Sequence, residues 1–334
     1  MQRAASLLHL PSLLAELGVD LDEVLNDTGV STADIRPDAF IPYASYLKVL
    51  RRSTELSRCA DFGLRLGSRQ TLASLGPVGG VMRCAATLGE ALADFVTFQI
   101  SNSTGGAVYL HASGDDFAFG YGVYDPEFEA SREMYDLVVA VGCNLIRELT
   151  AGMVEPLEIL MIGREPVDLA PYRALTTRPM RFEQSEACLI LPRRVLAFPL
   201  KTADPATREK ILSELYQRLL RAPWGTSSRV KHALRSLMLT GVHSMREVAA
   251  HLDLHPRALR RQLKDEGTTF EVIKDEVRDA VARQLLSLTR LTAADVGLSL
   301  GYSTPSSFAH AFQRWSGMSP ARWRRRSTDG QVLR

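Results

Sequence analysis

The sequence predicts an α+β N-terminal domain, a helical section plus a small mainly antiparallel sheet, followed by an all-α domain of two helix-turn-helix units joined by a long helix. Three observations predict it. Apolar residues keep helical spacing to about residue 100, short strand-like runs then enter up to residue 191, and beyond Arg229 only helical spacing remains. One short plan occurs twice in that last segment, over 244–263 and 292–312. Charge is also segregated: residues 229–334 carry 18 Lys and Arg against 10 Asp and Glu, and the remainder 22 against 28. The C-terminal part suits a polyanion and the N-terminal part does not.

Taken in order, Leu7, Leu8, Leu10, Leu13, Leu14 and Leu17 mark a first helix or its lead-in, stopped by Gly18, without the features of a secretory signal. A short helix covers 21–25, and Pro42 opens a longer one through Tyr46, Leu47, Val49 and Leu50. Segments 61–67 and 75–80 read as glycine-rich joints between helices. Residues 88–100 form a helix with Leu92, Phe95, Val96 and Gln99 on one face. A hairpin follows, 107–112 with 117–124, around Ser113-Gly-Asp-Asp116. A long helix over 127–151, a strand at 158–162, a short helix at 171–175 and strands at 180–182 and 187–191 complete the domain. Residues 204–221 form an amphipathic helix with Ile211, Leu212, Leu215, Tyr216 and Leu219 on its apolar face, suited to pairing with its copy or to packing on its own domain. A linker over 222–228 follows, so the boundaries fall at 1–203, 204–228 and 229–327.

The doubled plan carries the chemistry. Each copy opens with a capping box, Ser244 to Glu247 and Thr292 to Asp295. Each shows a Val-small-x-x-Leu face, turns, and restarts with Pro256 or Pro305 just inside a new helix. That second helix carries large apolar residues four apart, Leu259 with Leu263 and Phe308 with Phe312. These are helix-turn-helix units at 244–266 and 292–316. Between them 268–288 is one helix, apolar at Phe270, Ile273, Val277, Val281 and Leu285, spanning roughly 30 Å. With Leu259 and Leu263 facing inward, Arg257, Arg260, Arg261 and Lys264 face outward. Arginine gives two parallel donors to guanine in a major groove, and any of the four can contact phosphate. A basic helix face is ordinarily a solvated one; its position directly after a turn signature favours double-stranded DNA. In the second unit Ser306 and His310 are candidate base or phosphate contacts, with Gln313 and Arg314 beside them and Arg278 of the joining helix aimed at phosphate. The two units would enter successive major-groove segments on one face of the duplex.

Other chemistry is poorly represented. No apolar run is long enough to span a membrane. Cysteines 59, 84, 143 and 188 match neither a zinc site nor a disulfide framework and read as reduced thiols of a cytoplasmic protein. His251 and His255 lack a third ligand, so no metal is expected. Asp115 and Asp116 belong to a turn, and no nucleophile elbow, P-loop or dinucleotide fingerprint occurs, so neither a cofactor nor an enzyme is expected.

The runs Leu300-Gly-Tyr-Ser303, Ser307-Phe-Ala-His-Ala-Phe-Gln-Arg-Trp315 and Gly317-Met-Ser-Pro-Ala-Arg-Trp-Arg324 closely resemble the DNA-binding domain of the AraC/XylS transcription regulators. His310 stands where that family usually has Arg, and Gly297 where it usually has Ala. The N-terminal runs Leu17-Gly-Val-Asp20, Asp61-Phe-Gly-Leu-Arg-Leu-Gly67, Leu75-Gly-Pro-Val-Gly79 and Thr87-Leu-Gly-Glu-Ala-Leu92 resemble the arabinose-binding-like sensor domain. The resemblance implies a homodimeric regulator, an activator in keeping with the family, that senses a small-molecule effector and works with RNA polymerase. Aromatic and polar residues near a pocket between helices and sheet are then Gln99, Tyr109, His111, Tyr121, Tyr124, Arg132 and Tyr135, with Arg132 and Tyr135 a candidate carboxylate site. Two alternatives are a DNA-binding regulator without effector and an alkyl-transfer repair regulator. The latter needs an activated cysteine, and neither Cys143 nor Cys188 has the expected Pro-Cys-His setting.

Overall fold

The computed structural model describes residues 1–124, 131–221, 225–238 and 244–332. Residues 127–130 of the expected long helix and 222–224 of the expected linker lie outside them. Strand β1 (Gln2–Arg3) pairs with β2 (Phe40–Ile41) on either side of α1 (Leu10–Glu16) and α2 (Leu21–Leu25). Helices α3 (Tyr43–Ser57), α4 (Phe62–Ser68), α5 (Pro77–Arg83) and α6 (Leu88–Phe98) follow. The glycine-rich segments expected as joints are therefore largely helical. Gly76 does turn the chain, at φ +58 ahead of α5, but the glycines of α4 serve packing: a Cβ on Gly63 would lie 2.0 Å from the Glu133 carbonyl oxygen and one on Gly67 2.3 Å from that of Leu137. Spaced one turn apart, the two let α4 cross α7 (Arg132–Thr150) backbone against backbone.

The hairpin forms as read, β3 (Gly106–Ser113) against β4 (Asp116–Val123), with Ser113 opposite Asp116. After α7 come β5 (Glu158–Leu160), α8 (Ala170–Leu175), β6 (Met180–Arg181) and β7 (Ala187–Pro192). The sheet order is β3-β4-β7-β5-β6, antiparallel except between β5 and β6. Strand alternation divides its faces. Val108, Phe119, Tyr121, Val123, Leu189 and Leu191 join the helical core. Ala107 and, in a separate small cluster, Tyr109, Ala118, Cys188 and Ile190 belong to the opposite face. Helix α9 (Pro205–Arg221) packs on its own domain. Leu215 is buried, Tyr216 meets Phe98 edge-on at 5.1 Å, and Arg208 holds both oxygens of Asp94 at 2.8 Å.

The C-terminal region is helical: α10 (Thr226–Leu237), α11 (Met245–His251), α12 (Pro256–Asp265), α13 (Phe270–Leu288), α14 (Ala293–Ser299), α15 (Pro305–Ser316) and α16 (Pro320–Val332). Val230, Ala233 and Leu234 of α10 share a core with Val248, Leu259, Leu263 and Ile273, and also with Ala107 and Tyr124 of the sheet domain. The all-α region thus rests on the sheet face that the N-terminal helices leave open.

Candidate nucleic-acid interface and interior cavity

Both units build their turns from the expected residues. Ser244 Oγ accepts from the Glu247 amide at 3.3 Å while the Glu247 carboxylate accepts from the Ser244 amide at 3.2 Å. Thr292 and Asp295 repeat the exchange at 3.1 and 3.0 Å. His255 caps α12, its Nδ1 accepting from the Arg257 amide at 3.2 Å. Leu259 and Leu263 are buried, and Arg257, Arg260, Arg261 and Lys264 are exposed on the other side of α12. None of those four has an ion-pair partner among the described residues.

The second unit presents a different surface. Phe308 and Phe312 are fully buried, and Ser306, His310 and Gln313 are exposed. Arg314 is exposed but paired with Asp275 of α13 at 2.7 Å. Arg278 lies over the Tyr302 ring at 4.8 Å, which ties the joining helix to the second unit. Gly297 lets α14 approach α15, since a Cβ there would sit 2.9 Å from Phe308 Cβ.

The seven N-terminal residues singled out from the sequence do not converge. Gln99 and Tyr121 line an interior cavity of about 90 Å³ between the helices and the sheet. Tyr109 and His111 belong to the opposite face, where Tyr109 donates to the Ala187 carbonyl at 3.3 Å. The His111 imidazole meets Glu186 at 3.1 Å; burial opposes its protonation, but the carboxylate outweighs burial and holds its pKa above the ordinary value. Tyr124 donates to the Thr104 carbonyl at 2.5 Å. Arg132 and Tyr135 part company. Arg132 binds the Tyr172 hydroxyl at 3.0 Å and Asp136 at 3.4 Å, and burial pushes Asp136 up to about 6 against the pull of Arg132. The Tyr135 hydroxyl instead donates to Gln284 of α13.

Two groups escape a sequence reading. Arg3 and Tyr46 line the cavity, yet nothing local distinguishes them from a solvated arginine and a core tyrosine. Arg235, 1% exposed, leaves α10 to donate to the Val123 carbonyl at 3.1 Å, beside Gly122, where a Cβ would be 2.1 Å from its guanidinium. A glycine-punctuated strand, Phe119-Gly-Tyr-Gly-Val123, was the one available signal that something approaches closely.

Comparison with known proteins decides the family. A model described as the arabinose-binding domain of AraC transcription regulator, N-term, matches residues 18–200, and a helix-turn-helix domain model matches 248–326. The chain belongs to the AraC family of transcription regulators. Within that family, the HTH-type transcriptional regulator VirS of Mycobacterium tuberculosis is 30% identical over 96% of both chains. The ornithine utilization regulator of Pseudomonas aeruginosa is 24% identical over 94% of both. The crystal structure of the regulator CdpR from Pseudomonas aeruginosa aligns with a TM-score of 0.45 and 26% identity over 90% of this chain and 96% of that one. This AraC-family chain is a DNA-binding transcriptional regulator carrying an arabinose-binding-like domain, and its matched domains and relatives are regulators. Among its described residues, no helix is long and apolar enough to cross a membrane. Burial pushes the Cys143 thiol up to about 12 and the Cys188 thiol higher still, the reverse of what an activated nucleophile needs.

Proposed function

We propose that this regulator reads its operator mainly through Arg257, Arg260, Arg261 and Lys264 of α12, with α15 adding register and specificity through Ser306, His310 and Gln313. The observation that carries the reading is the contrast between the two outer faces: four exposed cations on α12 without ion-pair partners among the described residues, against an Arg314 occupied by Asp275 on α15. Arg278, already fixed over Tyr302, is positioned for phosphate.

The N-terminal domain senses a small molecule and mediates self-association, and the chain acts on transcription through RNA polymerase. Family membership supports these roles, and the layout supports transmission between the domains. Strand β4 places Tyr121 on the cavity and the next residue, Gly122, under Arg235. Helix α7 places Leu137 and Val141 on the cavity and Tyr135 on Gln284 of α13. Occupancy of the cavity would therefore bear on two of the elements that hold the DNA-binding region.

Fluorescence anisotropy on a duplex selected from a random pool tests the DNA reading. Arg261→Ala should lose about 1–3 kcal/mol on the selected duplex and much less on random DNA if it reads a base. Equal losses on both would assign it to the backbone, and unchanged binding by all four single alanine variants of α12 would overturn the reading. Sedimentation equilibrium with and without DNA tests self-association.

A further inference from the structure

The cavity is lined by both polar and apolar side chains. Among the described residues, Arg3 Nε, the Tyr46 hydroxyl and Gln99 Oε1 make no hydrogen bond of normal geometry, although the three residues are only 7%, 0% and 4% exposed. Buried polar groups are nearly always satisfied, so three orphans around one space point to an occupant that satisfies them. Water alone could do so in a wholly polar chamber. Here the lining also includes Phe95, Phe119, Leu137, Val141 and Leu189, which offer water nothing.

The charge balance narrows the occupant further. Among the residues lining the cavity Arg3 is the one permanent charge, and no Asp, Glu, Lys or His joins it. Its outer nitrogen is held at 2.9 Å by Asp38, whose side chain is 95% exposed and so screened by solvent. The guanidinium is also fixed in place, because Gly76 leaves it room that a Cβ, at 2.7 Å, would take. An ammonium would meet a cation and no anion. A carboxylate would meet the Arg3 Nε–H and the Tyr46 hydroxyl as donors. Gln99 Oε1 is then placed to accept from a hydroxyl near the head, or with its amide turned over Nε2 gives a third donor.

We propose that the cavity binds a small monocarboxylate with an apolar body, its head on Arg3, Tyr46 and Gln99 and its body along α7 and the sheet. The proposal rests on reading the N-terminal domain as a sensor and names the class of molecule sensed. Zwitterionic amino acids and sugars are disfavoured, the first by the missing anion and the second by the apolar lining.

The test is calorimetry and thermal shift on the full chain with octanoate, 3-hydroxyoctanoate, benzoate, octan-1-ol, octylamine and leucine. At least one carboxylate should bind and raise the melting temperature, with octanol at least tenfold weaker and octylamine and leucine silent. Arg3→Met and Tyr46→Phe should each weaken the carboxylate at least tenfold. Tyr46→Phe should fold as well as the parent, because it removes a hydroxyl whose one neighbour, Ser6, lies outside normal hydrogen-bond geometry. Val141→Trp, which adds bulk among the apolar lining, should abolish binding even if Arg3→Met fails to fold. The proposal is overturned if no carboxylate binds, if octylamine or leucine binds as well as octanoate, or if Tyr46→Phe and Val141→Trp both bind unchanged. Anisotropy on the selected duplex separates the two readings. Carboxylate binding without any change in DNA affinity would uphold the cavity and refute the sensor, whereas a DNA response to other metabolites alone would do the reverse.

Discussion

Gly297 shows how one residue can read differently in sequence and in space. In a helix, glycine costs about 1 kcal/mol relative to alanine, so its place in α14 looks like a defect. Its α-carbon faces α15, and an added methyl would sit 2.9 Å from Phe308 Cβ and 3.0 Å from Cγ. Phe308 is fully buried and pressed against Phe312 and Tyr302, so it has little room to yield. Overpacking of this kind costs about 1–3 kcal/mol, which meets or exceeds the helix gain. Gly297→Ala is expected to lower the melting temperature measured by circular dichroism; a rise would show that Phe308 repacks freely. His310 is a contrasting case. It is exposed, and the proposed contact with DNA is what would give it a role.

At the scale of the element, the first helix of each unit is only seven residues long, too short to persist without help. The capping boxes supply part of that help and the buried Val248 and Val296 the rest. Ser244→Ala removes the side-chain cap and leaves the Glu247 amide unsatisfied, a loss of about 1 kcal/mol. Hydrogen exchange is the direct readout: amides of α11 should exchange roughly fivefold faster, while those of α14 keep their rate. Equal acceleration in both helices would mean that the two units open together rather than separately. The crossing of α4 over α7 follows another logic. It is fixed by two missing side chains, so the sequence there shows only glycines, which read as a joint.

At the scale of the molecule, the two domains share buried groups and a rim contact. Tyr135 reaches Gln284 and Arg235 reaches Val123 in the interior, and at the surface Arg290 reaches Glu183 with its backbone amide at 3.2 Å. His232 lies in the same seam, its ring edge-on to Tyr124 at 6.0 Å, and burial lowers its pKa from the ordinary 6.5 to about 4. The sign follows from the neutral form being the folded one. Between pH 6.5 and 4 the unfolded chain binds a proton that the folded chain refuses, so stability falls as pH is lowered through that window. Asp136 acts oppositely, since burial raises its pKa to about 6 and its ionisation costs stability as pH rises from 3.8 through 6. Comparison with His232→Phe isolates the histidine, because Asp136 is common to both proteins. Denaturant titrations should show the parent losing on the order of 2–3 kcal/mol more than the variant between pH 7 and 4.5. Parallel pH profiles would show that His232 is not held neutral by this seam.

The sequence by itself determined the doubled helix-turn-helix, its caps, its inward Leu and Phe pairs and the basic outer face of α12. Each of these is a local pattern: a cap needs its partner three residues on, and a helix face repeats every three or four. It also determined the hairpin and the order of strands along the chain, for the same reason. Only the tertiary structure decided which glycines turn the chain and which let two elements touch, because the difference lies in a packed neighbour, for Gly63 and Gly67 the α7 residues Glu133 and Leu137. It decided that Arg132 and Tyr135, three apart on one helix, look in different directions, the first to Tyr172 and the second to Gln284. It also brought Arg3, Tyr46 and Gln99 to one cavity and set Arg235 into the sheet. Groups that meet across such separations leave no period in a sequence, and that is why the exposed basic face of α12 was legible in the chain while the cavity and the seam between the domains were not.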